Sequence, residues 1–176
     1  MIYALLDALE GIDKFLHAGG EVLYLIVILL LLMWTLIFER IWYFKAVLKG
    51  DVQRALDAWE ARTERKSKRA HQVRDMLISR VSMKIDQNLP MIKTMVALAP
   101  LFGLLGTVWG MIQVFEILAI TGGGDAKSMA GGVSKATIPT MSGMVAALSG
   151  VFGNTYLTRV AEREKQLLED HLTMDH

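Results

Sequence analysis

From Val22 to Phe38 the chain reads VLYLIVILLLLMWTLIF, without a single charged residue. Extended through Trp42 and Tyr43, this stretch supplies the roughly 20 apolar residues that a helix needs to cross a bilayer. It defines a first span over residues 21–43. The second apolar stretch, 94–120, reads TMVALAPLFGLLGTVWGMIQVFEILAI and holds one carboxylate, Glu116, near its far end. The third, 130–158, is diluted by glycine, serine and threonine, with Gly131, Gly132, Gly143, Gly150 and Gly153 among its residues. Small residues of this kind let helix backbones approach closely within a membrane.

Composition agrees with lipid as the solvent. Of 176 residues, 53% are hydrophobic and the mean hydropathy is +0.37, beyond the usual range of a soluble domain. A net charge of +1 gives no broad basic field of the sort nucleic-acid binding requires. With no cysteine, disulfides, thiolate catalysis and cysteine-held metals are excluded. The four histidines, His17, His71, His171 and His176, are scattered without metal-ligand spacing. No nucleophile, base and orienting group converge on one spacing, so no catalytic residue, metal or cofactor is expected. The sequence GGGDAKS near residue 125 has Ala126 where a phosphate loop needs glycine, and it reads as a turn between helices.

The segments between spans differ in character. Residues 1–20 set Ile2, Leu5, Leu6, Leu9, Ile12 and Leu16 among Asp7, Glu10, Asp13 and Lys14, which fits an amphipathic helix on the membrane surface; Gly19 and Gly20 would end it. They lack the cationic start and cleavage site of a signal peptide, so this helix is expected to be retained. Residues 44–93 form a polar helical loop, with Asp51 as its expected N-cap and a pattern running through Leu56, Trp59, Val73, Leu77, Val81 and Ile85. Pro90 marks a bend before the second span. A turn over 121–129 and a charged helical tail over 159–176 complete the chain. Twelve of nineteen basic residues lie between Lys45 and Lys93, and basic loops stay in the cytoplasm. The loop and tail are therefore expected inside, the amino terminus outside. The cluster RTERKSKR at 62–69 reads as an orientation signal, with a lipid-headgroup patch as the alternative.

Polar residues inside the spans carry the functional signal, since they are costly in hydrocarbon. At 100° per residue, Thr107 shares a face with Gly103, Gly110 and Val114, and Thr140 with Ala136, Thr137, Gly143 and Ala147. Several copies could pack these stripes around a narrow, hydroxyl-lined space. One copy has too few helices to enclose a pore, which implies a homo-oligomer with spans 2 and 3 inside and span 1 facing lipid. The alternative is that each threonine only bonds back to its own i−4 carbonyl. Glu116 and Lys135 lie about 13 Å and 7 Å from the threonines toward the outside, close enough in height to form a candidate intramembrane charge pair. Otherwise both reach to the interface.

The motifs APLFGLLGTVWGMI in span 2, Glu39–Arg40 at the cytoplasmic membrane edge of span 1, and GVSKATIPTMSGMVAALSGVFGN in span 3 resemble ExbB, of the MotA/TolQ/ExbB proton-channel superfamily, in the compact form of secondary TonB systems. The fold expected is an all-α integral membrane protein with three transmembrane helices and long cytoplasmic helical extensions. The resemblance implies a pentamer in the bacterial inner membrane, surrounded by lipid, enclosing single-span ExbD-like helices and driving a TonB-like protein for uptake of iron chelates or vitamin B12. It carries the family's pore threonines onto Thr107 and Thr140, with Thr137 beside them. Where many relatives have glutamate, this chain has Lys135. The TolQ role in outer-membrane maintenance and a passive membrane scaffold are the other readings.

Overall fold

The computed structural model describes residues 2–64, 67–122 and 126–172. Among them every regular element is a helix: α1 (Ile2–Trp42), a π-helical turn (Tyr43–Val47), α2 (Leu48–Glu60), α3 (Lys68–Asp86), α4 (Leu89–Thr121) and α5 (Ala126–His171). Three helical stretches, Gly19–Glu60, Lys68–Thr121 and Met129–His171, are long and apolar enough to cross a membrane. The chain is thus an all-α membrane protein with three spanning helices. It divides into two compact units, to both of which α1, α4 and α5 contribute.

The first unit comprises Met1–Met33 and Thr94–Val151. Within it α1 is interrupted at Gly20, whose φ of 70° and ψ of −168° lie outside the helical region and favour a residue without Cβ. Beyond that break, Val22, Leu23, Ile26, Leu29 and Met33 are buried, a spacing of three and four residues that presents one face of a helix. The opposite face, with Leu25, Ile28, Leu31 and Leu32, is exposed. Pro100 and Pro139 lie inside α4 and α5. Each removes a backbone donor, so the carbonyls of Val96 and Lys135 lose their i+4 partners.

The second unit comprises Trp34–Lys93 and Phe152–His176. Its core contains Ile37, Leu48, Trp59, Ile85, Ile92 and Leu157. Ser67 caps α3 by accepting a hydrogen bond from the Ala70 amide at 3.3 Å, satisfying one of the free donors at a helix start. The α3–α4 junction passes through Asn88, which has φ of 65°, and Pro90 sits within the first turn of α4; α3 and α4 together make up the helical stretch Lys68–Thr121. Asp51 is not an N-cap. The backbone is already helical through the π turn, so there is no free helix start at this position, and Asp51 is buried inside α2.

Candidate functional site

The site in the first unit begins with glycine. A Cβ at Gly103 would lie 2.9 Å from the Pro139 carbonyl oxygen, and one at Gly143 would lie 2.5 Å from the carbonyl oxygen of Ala99. At Gly110 it would meet Ala136 at 2.7 Å, and at Gly132 it would meet Val114 at 2.6 Å. Real Cβ atoms do not come so close, so α4 and α5 approach each other only because these positions have no side chain.

That approach brings Thr107 and Thr140 together. Their hydroxyls hydrogen-bond to each other, and the Thr140 hydroxyl donates across the helix pair to the Gly103 carbonyl at 3.0 Å. The Thr107 hydroxyl also lies 3.4 Å from that carbonyl, four residues back in its own helix. One acceptor therefore serves both threonines, and with one proton each, one hydroxyl donates to the other while the second reaches the carbonyl. Both residues are half-buried. Thr137 stands apart: it is exposed, and its hydroxyl donates to the Ser134 carbonyl at 2.7 Å. Ser142 likewise bonds back to Ile138.

Glu116 and Lys135 are both exposed, and no ion pair joins them among the described residues. Lys135 opens instead onto a cavity of about 480 Å³ that is also lined by His17, Glu21, Trp109 and Gln113.

In the second unit, the Glu39–Arg40 pair organises a polar cluster. Arg40 is 2% exposed. It donates to both oxygens of Glu39 at 2.7 and 2.6 Å and to the Lys84 carbonyl at 3.0 Å, and its guanidinium lies 4.7 Å from the centre of the Tyr43 ring. Asn88 donates to Glu39 at 3.3 Å. Tyr43 in turn donates to Asp51 at 2.9 Å, and Lys84 and Arg54 hold the other oxygen of that carboxylate at 3.0 and 2.8 Å. Burial pushes the Asp51 carboxyl up, but the bonds from Lys84 and Tyr43 outweigh it and leave the group below the usual carboxylate range. The sequence pointed to Glu39 and Arg40 but not to Tyr43, Asp51, Lys84 and Asn88. Their only advance signal was Asn88, a residue type that tolerates positive φ, placed just before Pro90.

The profile of the MotA/TolQ/ExbB proton channel family matches residues 44–170. This chain belongs to that family. As a MotA/TolQ/ExbB protein it is a multi-pass protein of the inner membrane, in a family of proton channels. It is similar to the biopolymer transport protein ExbB-like 1 of Synechocystis sp., 32% identical over 169 residues that cover 78% of this chain and 66% of that protein. It is 34% identical to the biopolymer transport protein ExbB of Xanthomonas campestris pv. campestris over 83 residues, 47% of this chain and 33% of the relative. With the Tol-Pal system protein TolQ of Pseudomonas aeruginosa it shares 32% over 96 residues, 54% of this chain and 40% of the relative. The chain therefore spans between a third and just under two thirds of the length of these relatives.

Proposed function

We propose that this chain is the ExbB-type subunit of an inner-membrane energy-transducing complex, which assembles as a homo-pentamer around a single-span ExbD-like partner and couples proton flow to a TonB-like protein. The observation that carries the reading is the threonine pair, two hydroxyls from two membrane-crossing helices converging on the Gly103 carbonyl. A hydroxyl both donates and accepts, so the pair can order water beside a titrating carboxylate without placing another charge in the membrane. Threonine does not itself take up a proton near neutral pH, and the proton acceptor is assigned to the partner chain. One elementary charge crossing 100 mV releases about 2.3 kcal/mol, enough to drive a conformational step.

In this reading, residues 1–20 and 121–129 face the periplasm, residues 44–93 and 159–176 the cytoplasm, and spans 21–43, 94–120 and 130–158 cross between them. The density of basic residues from Lys45 to Lys93 supports that orientation. The substrates served through TonB would be iron chelates or vitamin B12.

The test is proton flux into liposomes holding this chain and an ExbD-like partner. Thr107→Val and Thr140→Val should abolish flux while native mass spectrometry still finds the assembled complex. Full flux in both variants would leave the threonines as packing residues, and no flux in the assembled wild type would favour a passive scaffold. A TolQ role is the second reading, favoured by the coverage of 54% of this chain in the match to the Pseudomonas aeruginosa protein. Complementation of strains lacking ExbB or TolQ separates the two.

A further inference from the structure

In the second unit, the start of α4 and the last part of α5 enclose a cleft of about 610 Å³, lined by Asp86, Leu89, Lys93, Asn154, Thr155 and Arg159 among others. Its charge is unbalanced. The one carboxylate, Asp86, is held by Lys165, whereas Lys93 and Arg159 are exposed and have no ion-pair partner among the described residues. The Thr155 hydroxyl and the Asn154 side-chain amide have no hydrogen-bond partner among the described residues either. Two cations and two neutral hydrogen-bonding groups thus converge on one opening.

The position of the cleft in the sequence says what can reach it. Lys93 is the last charge before an uncharged run from Thr94 to Phe115, and Arg159 is the first charge after another from Ala136 to Thr158. Each run is long enough to cross roughly 30 Å of hydrocarbon, so both cations lie where the membrane gives way to water, the depth of lipid phosphates. On the same elements Met91 and Phe152 are 53% and 70% exposed, an apolar surface on which acyl chains can lie. Arginine matches a phosphate with two parallel N–H bonds and lysine adds a point charge, and basic pockets between spanning helices are suited to anionic headgroups.

We infer that this cleft binds the phosphate of an anionic phospholipid, with Lys93 and Arg159 as its cationic ligands and Thr155 and Asn154 as neutral donors. The inference rests on the membrane placement of the helices and not on the channel reading.

The experiment is native mass spectrometry of the full chain in detergent, titrated with phosphatidylglycerol, with phosphatidylcholine, and with phosphatidylglycerol in the presence of millimolar inorganic phosphate. The wild type should retain phosphatidylglycerol in preference to phosphatidylcholine, and inorganic phosphate should not displace it. Lys93→Gln and Arg159→Gln should each lower retention about fivefold, and the double variant more, as expected for basic groups at an anionic surface. Lys93→Arg with Arg159→Lys should keep most of it, which guards against loss through misfolding. Unchanged retention in the double variant, an equal loss in Lys49→Gln, an exposed lysine outside the cleft, or displacement of the lipid by phosphate would each overturn the inference. Proton flux is not read, so a negative result leaves the proposed channel function standing.

Discussion

Arg40 and Lys84, 44 positions apart, are joined by a guanidinium-to-carbonyl hydrogen bond of 3.0 Å, while the ammonium of the same lysine grips Asp51. Lys84 thereby links the end of α1 to α2 through α3, using its backbone for one connection and its side chain for the other. Because the Arg40 side chain is 3% exposed, its polar hydrogens depend on these protein partners. Arg40→Ala should lower stability by about 2–4 kcal/mol, since removing one member of a buried ionic cluster strands the others. Arg40→Lys should recover only part of this, because one ammonium cannot reach Glu39 and the Lys84 carbonyl in the same fork geometry. Thermal unfolding in detergent, followed by tryptophan fluorescence, checks both; equal melting of all three proteins would remove the cluster from the stability of the fold.

Asp51 sets a pH dependence of defined sign. Its folded-state carboxyl titrates below the usual range, so its stabilisation is present above the unfolded value of about 3.9 and is lost as pH falls through the lower folded value. Asp51→Asn should be less stable than wild type at neutral pH and should show a shallower acid limb. Denaturation between pH 3 and pH 7 measures this, and parallel curves would assign the acid limb to other carboxylates.

The close approach of α4 and α5 predicts opposite fates for two groups of glycines. Gly103→Ala and Gly143→Ala place methyl groups against backbone oxygens at 2.9 and 2.5 Å and should destabilise by about 1–3 kcal/mol. Gly131, with nothing within 4 Å of an added Cβ, should accept alanine with no loss. Melting temperatures of the three variants decide it.

The threonine pair should show coupling. If Thr107 and Thr140 bond to each other, Thr107→Val and Thr140→Val together should cost about 0.5–2 kcal/mol less than the sum of the single losses, the range of interhelical hydrogen bonds in membranes. Additive losses in a double-mutant cycle would mean that each hydroxyl acts alone.

The three spanning helices were legible because bilayer crossing is decided locally, by the length and polarity of runs such as 22–38. The small-residue faces of α4 and α5 were legible from periodicity, but the hydrogen bond that joins Thr107 to Thr140 and their shared acceptor, the Gly103 carbonyl, were not, because they depend on how the two faces register against each other. The cluster around Arg40 was only partly legible. Sequence shows that Arg40 follows Glu39, but its partner on α3 is a backbone carbonyl, which every residue possesses. An aspartate before a helical pattern suggests a cap because helix-start chemistry is local, whereas the partners of Asp51 are Tyr43 across the π turn and Lys84 on α3, and contacts between helices are not written in either segment alone. Lys135 was read against Glu116 by height along the helix, and height says nothing of the cavity onto which it opens.

The π turn at Tyr43–Val47 has one further consequence. An i→i+5 turn accommodates one residue more than an α-helical turn, so the polypeptide carries a built-in phase offset of about 100° between Trp42 and Leu48. The azimuth of α2 is thereby uncoupled from that of α1, and Leu48, Asp51, Ala55 and Trp59 face inward on a heading that a continuous α-helix would not give them. Loss of a single residue in this turn would leave every side chain chemically intact and rotate the whole inward face of α2 out of alignment.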